Sequence, residues 1–178
     1  MKHWMTIGWV AIVCLLSQNG WAGLEIGKVP TTITLQNKDG GRLDGTPWSS
    51  TEFKDKVSVV FYVDPDEKDL NNDASEALKK ENFPLDKYKS YGIINMAATW
   101  LPNFAISASL EEKQKIYPDT IYVRDYKKVL VHGWGLADDS SDVLAFDKTG
   151  NLIFRKDGKL NAEDIKALIQ AIRENIDK

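Results

Sequence analysis

Five carboxylates crowd into ten positions: Asp64, Asp66, Glu67, Asp69 and Asp73. Oxygen donors from one loop are what a hard cation such as calcium takes. Lys68 breaks their alternation, and no glycine supplies the tight turn of a calcium loop. The expectation is a solvated acidic loop with no metal site. A second group lies at 132–141, with His132, Trp134, Asp138, Asp139, Ser140 and Ser141. Serine, histidine and an acid are the parts of a nucleophilic triad. The Gly-x-Ser-x-Gly turn that would present such a serine is absent, so no catalytic residue is assigned. His132 is the one histidine after residue 22, and no cysteine accompanies it, so an ordinary zinc site is excluded. Trp134, set between Gly133 and Gly135, reads in two ways. It is a loop anchor for a ligand, oriented by nearby carboxylates and hydroxyls, or it caps the core. Trp100 to Phe104 (TWLPNF with Thr99) is a second aromatic loop, a contact surface or a lid.

These side chains need elements to hold them. Val57 to Val63 (VSVVFYV) is a nearly continuous apolar run, as in a strand buried on both faces. The acidic loop follows it. Asp73 and Glu76 form an N-terminal capping pattern for a helix to about Asn82, stopped by Pro84. Tyr91 to Ala97 reads as a strand, with Gly92 to Asn95 as plain core. Ser109 to Glu112 reads as the capped start of a helix ending at Tyr117. Val29 to Leu35, Thr120 to Arg124 and Val129 to His132 read as further strands. Val143 to Phe146 and Leu152 to Arg155 flank Asp147 to Asn151 as a hairpin, with Gly150 at the turn position that needs positive φ. Asn161 caps a last helix from Ala162 to about Ile176. Its apolar stripe is Ile165, Leu168, Ile169, Ile172 and Ile176. Strands alternating with helices, then a hairpin, imply an α/β domain with a mixed sheet.

The chain has 178 residues and a net charge of −3. That length suits one domain with a real core. The acidic balance excludes a nucleic-acid partner, which needs a basic stripe. Lys2, the apolar run Ile7 to Leu16 and Gly20-Trp21-Ala22 have the form of a cleavable export signal, with cleavage after Ala22. The run is below the roughly 18 residues of a spanning helix. An uncleaved anchor is the alternative, and Val13 before Cys14 argues against lipidation. Cys14 is the single cysteine, so a chain beginning at residue 23 has no thiol chemistry and no disulfide. The domains expected are a signal peptide, 1–22, and one folded domain, 23–178. The location expected is the periplasm, with no membrane association after cleavage.

Ile26-Gly27-Lys28-Val29-Pro30, the Asp39-Gly40 turn, Phe53-Lys54-Asp55-Lys56 and the hairpin VLAFDKTGNLIFR, 143–155, resemble the exported thioredoxin-like thiol reductases and peroxiredoxins. Lys115 to Pro118, Trp134 with Asp138, Ser140-Ser141 and Asp147-Lys148 with Gly150 resemble the YtfJ family, small exported bacterial proteins of unsettled function. The resemblance implies a thioredoxin-like three-layer sandwich, a central mixed β-sheet flanked by helices. It also implies where the redox site would stand. Thioredoxins carry Cys-x-x-Cys after the central strand, and this chain carries Asp64-Pro65-Asp66-Glu67. Ser141 falls near the position of the family's cis-proline. A carboxylate cannot replace a thiolate in disulfide exchange. The expectation is a non-redox binding or accessory protein without a cofactor. Its candidate ligand residues are Asp64, Asp66, Trp134, Asp138, Ser140 and Ser141, and its ligand is a protein segment or a small molecule. The alternative is a hydrolase or other enzyme using carboxylate or histidine chemistry at the same face.

Overall fold

The structure, a computed structural model, describes residues 23–178; the expected leader lies outside them. The elements run β1 (Thr34–Leu35), β2 (Gly40–Arg42), β3 (Trp48–Ser49), β4 (Val57–Val63), α1 (Asn72–Glu81), β5 (Tyr88–Asn95), α2 (Asn103–Ile116), β6 (Thr120–Asp125), α3 (Val129–Trp134), β7 (Ser141–Phe146), β8 (Leu152–Lys156) and α4 (Ala162–Ile176). Among the described residues, β1 and β3 pair apart from a six-stranded sheet of order β2-β6-β5-β4-β7-β8. β4, β5 and β6 are parallel, and β2, β7 and β8 run antiparallel to their neighbours. The sheet is mixed, as the terminal hairpin requires.

β4 lies at the centre because both of its faces are apolar. Val57 and Val59 point to one side, against Leu78 of α1 and Leu168 and Ile172 of α4. Val60 and Tyr62 point to the other, among Trp48, Phe53, Trp134 and Phe146. Right-handed crossovers between parallel strands put α1 and α2 on the same side. α3 and the segments around β1 and β3 close the opposite side. α4 is the stripe expected from the sequence. Asn161 accepts from the amides of Glu163 and Asp164, and Asp164 accepts from the amide of Asn161 in return.

Several elements differ from the sequence reading. α1 begins at Asn72, with Asp73 inside the helix and not its cap. β5 runs Tyr88–Asn95 rather than from Tyr91 to Ala97. Val129 to His132 forms helix α3, not a strand. The buried Asp125 carboxylate accepts from the amides of Lys127, Val129 and Leu130, so capping overrides the β-branched preference of this short stretch. Helix α2 begins at Asn103 instead of Ser109. The Ser109 pattern sits inside a helix that starts behind Pro102, whose carbonyl accepts from the amides of Ala105 and Ile106. Only Thr34 and Leu35 of the 29–35 segment pair as a strand. Pro30 offers no amide, and Gly27 and Lys28 instead bond the backbone of Leu152.

Candidate functional site at the ends of the parallel strands

β4, β5 and β6 end at the same edge, at Asp64, Asn95 and Asp125. In open α/β sheets this edge is where ligands bind. β7 runs back beside β4 and pairs Ser141 with Val63. The Asp64 amide donates to the Ser140 carbonyl at 2.8 Å. Thus Asp64, Ser140 and Ser141, far apart in sequence, meet at one point. Asp66 follows in the short 3-10 turn Pro65–Glu67, which Asp64 caps by accepting from the Asp66 amide at 2.8 Å. Asp64 is 4% exposed. Burial pushes its carboxyl above the usual range, opposed by that amide bond and reinforced by Asp66, Asp139 and Glu67.

Asp138 stands on the other side of the edge. Asn95 donates to its carbonyl and carboxylate at 3.1 and 3.0 Å, and Lys128 donates at 2.6 Å. The lysine bond, ahead of the asparagine bond, holds the Asp138 carboxyl below its ordinary range. Lys128 is in the left-handed region, φ 54, which turns its chain toward the edge before α3 starts. The Oδ1 of Asn95 is buried without a hydrogen-bond partner among the described residues.

The remaining candidates are placed differently. Trp134 is fully buried, packed on Phe53 and Phe146, and its Nε1 donates to the Thr31 carbonyl at 2.8 Å. Of the two readings of this residue, the structure selects the core cap: no face of the ring is open to a ligand. Ser141 is 2% exposed and its Oγ accepts from Asn71, so it is not presented as a nucleophile. Asp69 accepts from Asn72, and among the described residues no group of three or more acids, histidines or cysteines is arranged around a metal position. Among the described residues no peptide bond is cis, so the Ser140-Ser141 approach to β7 is trans.

Three residues here escaped the sequence reading. Asn71 donates to the carbonyls of Ser141 and Gly158 and accepts from the Leu160 amide, tying α1, β7 and the start of α4 together. Asp142 is fully buried and accepts from the Ala137 amide at 2.7 Å, with Oδ1 lacking a partner among the described residues. Burial pushes its carboxyl up to about 6. Tyr62 donates to Asp125 at 3.1 Å, and burial, then the Asp125 charge, raises its phenol. The only sequence signal was at Asp142, a polar residue bounding the apolar run Val143 to Phe146.

A mixed sheet with this order, crossovers and terminal hairpin is a thioredoxin-like fold. It superposes on the thioredoxin domain of a thiol-disulfide oxidoreductase from Bacteroides vulgatus with a TM-score of 0.61 at 18% identity, covering 83% of this chain and 97% of that one. Residues 31–175 match the bacterial family of unknown function YtfJ_HI0045, and the chain belongs to it. A Haemophilus influenzae protein is 29% identical over 175 residues, 92% of this chain and 95% of its own. The Escherichia coli K12 protein YtfJ is 28% identical over 131 residues, 71% of each chain.

Proposed function

We propose that this protein is exported and acts by binding, without redox chemistry, at the edge formed by Asp64, Asp66, Asp138 and Ser140. One observation carries the reading. Where thioredoxins carry their reactive thiol, this chain has Asp64, whose carboxylate turns inward to cap its own loop. Residues 23–178 contain no cysteine, so the mature chain has no sulfur nucleophile to supply. The edge instead offers hydrogen-bonding groups on a rigid frame: the Asp66 carboxylate, the Ser140 hydroxyl and the Lys128–Asp138 pair. Such a frame orients a peptide segment or a small polar molecule.

The enzyme reading has one observation in its favour, the raised Asp64 carboxyl. Against it, the residue is nearly buried and one of its two oxygens is engaged by the Asp66 amide, which suits a structural cap better than a general acid or base. Two experiments separate the readings. A photo-crosslinker at Ser140 should capture a partner from intact cells that a crosslinker at Gln170, on α4, does not. Equal capture from both positions contradicts binding at the edge. A hydrolytic activity lost in Asp64→Asn would establish the enzyme instead.

A further inference from the structure

α1 and α2 do not close over the sheet between them. A cleft of about 670 Å³ runs along the gap, within the size range of small-molecule sites. Phe61, Val63 and Gly92 form its floor, Leu78 stands on one wall, and Ile106 and Leu110 stand on the other. The Tyr122 ring lies over Gly92, where a Cβ would come within 2.9 Å of it. Glycine therefore keeps the floor low. Ser75 on α1 and Ala105 and Ser109 on α2 keep the walls apart. The α2 wall runs from Ala105 to Ile116, roughly 16 Å of helix, so the cleft is elongated.

The two ends differ in charge. At the 64–73 end the lining residues Lys68 and Asp69 carry opposite charges. Toward the other end Lys79 and Lys113 reach from opposite walls. Among the described residues neither ammonium has a carboxylate partner, and Lys79 rests 4.9 Å from the centre of the Tyr117 ring. Two carboxylates share that end: Glu76 is engaged by the Tyr117 hydroxyl at 3.1 Å, and Asp119 follows past Pro118.

We propose that this cleft binds a free long-chain aliphatic amphiphile, its tail along the floor and its anionic head between Lys79 and Lys113. The apolar floor takes the hydrocarbon, the elongated floor suits an extended chain, and the two ammoniums select the sign of the head. At the strand-end edge the cleft is lined by Pro65, Lys68, Asp69, Asn71, Asn72 and Ser141, and not by Asp64, Asp66, Asp138 or Ser140. It stands whether or not that edge binds a partner.

Equilibrium dialysis of protein purified from the cell fraction where it accumulates tests this, with dodecanoate, dodecanol and dodecyltrimethylammonium as probes. Dodecanoate should bind at about one per chain and most tightly, and the cation most weakly. Lys79→Gln with Lys113→Gln should weaken dodecanoate about tenfold, to the level of dodecanol. Ser109→Phe should abolish uptake while circular dichroism shows the fold retained. If that variant does not fold, Ser75→Leu blocks the cleft from the opposite wall and should give the same loss. Asp138→Ala, which disables the strand-end edge, should leave uptake unchanged. No dodecanoate uptake, equal uptake of the cation, uptake surviving the filled cleft, or loss in Asp138→Ala would each overturn the proposal. So would attachment to phosphatidylglycerol vesicles that the filled cleft does not reduce, since that places binding on the outer surface.

Discussion

The two faces of the sheet are built to opposite rules. On the α3 side, Trp48, Phe53, Tyr91, Trp134 and Phe146 interlock with no exposed ring, and Phe53 stacks on Phe146 with centroids 4.3 Å apart. On the α1 and α2 side, Ser75, Gly92, Ala105 and Ser109 leave a gap above an apolar floor, and Ile116 and Leu85 stand exposed at its mouth. Aromatic area and dense packing make the first face the source of stability. The second gives up that packing and gains a cavity. Surface left unfilled in this way is where a binding protein can change its ligand without losing its fold.

The comparison breaks most readily at Trp134. Trp134→Ala should cost about 4 kcal/mol, since the closed face cannot collapse around the missing ring; urea denaturation reads the loss. A cost under 1 kcal/mol would show that this face is not tightly packed. Next in size is Asn71→Ala, which strands the Leu160 amide and two carbonyl groups. It should cost about 2–3 kcal/mol, measured the same way.

Asp142 sharpens the contrast, because it is a charge placed within the closed face. Its folded carboxyl titrates at about 6 against an ordinary value of 3.8, so the folded state holds the proton more tightly. Stability is therefore greatest below pH 4 for this group and falls as pH rises through 4 to 6. The penalty at neutral pH is at most about 3 kcal/mol. Asp142→Asn should remove that part of the slope and raise the urea midpoint at pH 7. An unchanged pH profile in the variant would remove Asp142 as its source. The smallest effect belongs to Trp100, 87% exposed. Trp100→Ala should shift stability by under about 0.5 kcal/mol. In a chain beginning at residue 23 it should also remove the long-wavelength part of the fluorescence, because Trp48 and Trp134, the other tryptophans there, are both fully buried.

The packed layers on both faces of the sheet were more legible than the space between α1 and α2. The apolar run 57–63 and the α4 stripe carry periodicities that only a covered sheet explains, and both formed as read. Helix α3 was not legible, because Val129 and Val131 favour a strand and the group that makes the stretch helical is Asp125, anchored in the strand before it. Trp134 stayed open between two meanings until Phe53 and Phe146 were seen around it. The meeting of Asp64 with Ser140 depends on strand pairing 76 residues apart, and the fold resemblance pointed to it without fixing the contact. The cleft was invisible in the sequence. Small residues on two helices carry no signal until the helices are set side by side.

The urea midpoint of Ser109→Leu tests the difference between the faces most directly. Leucine adds volume and helix propensity at the wall of the cleft. If the cleft is open space kept for a ligand, the midpoint stays level or rises. If the α1 and α2 face is as tightly packed as the aromatic one, the added side chain overpacks it, and stability falls by about 1–3 kcal/mol.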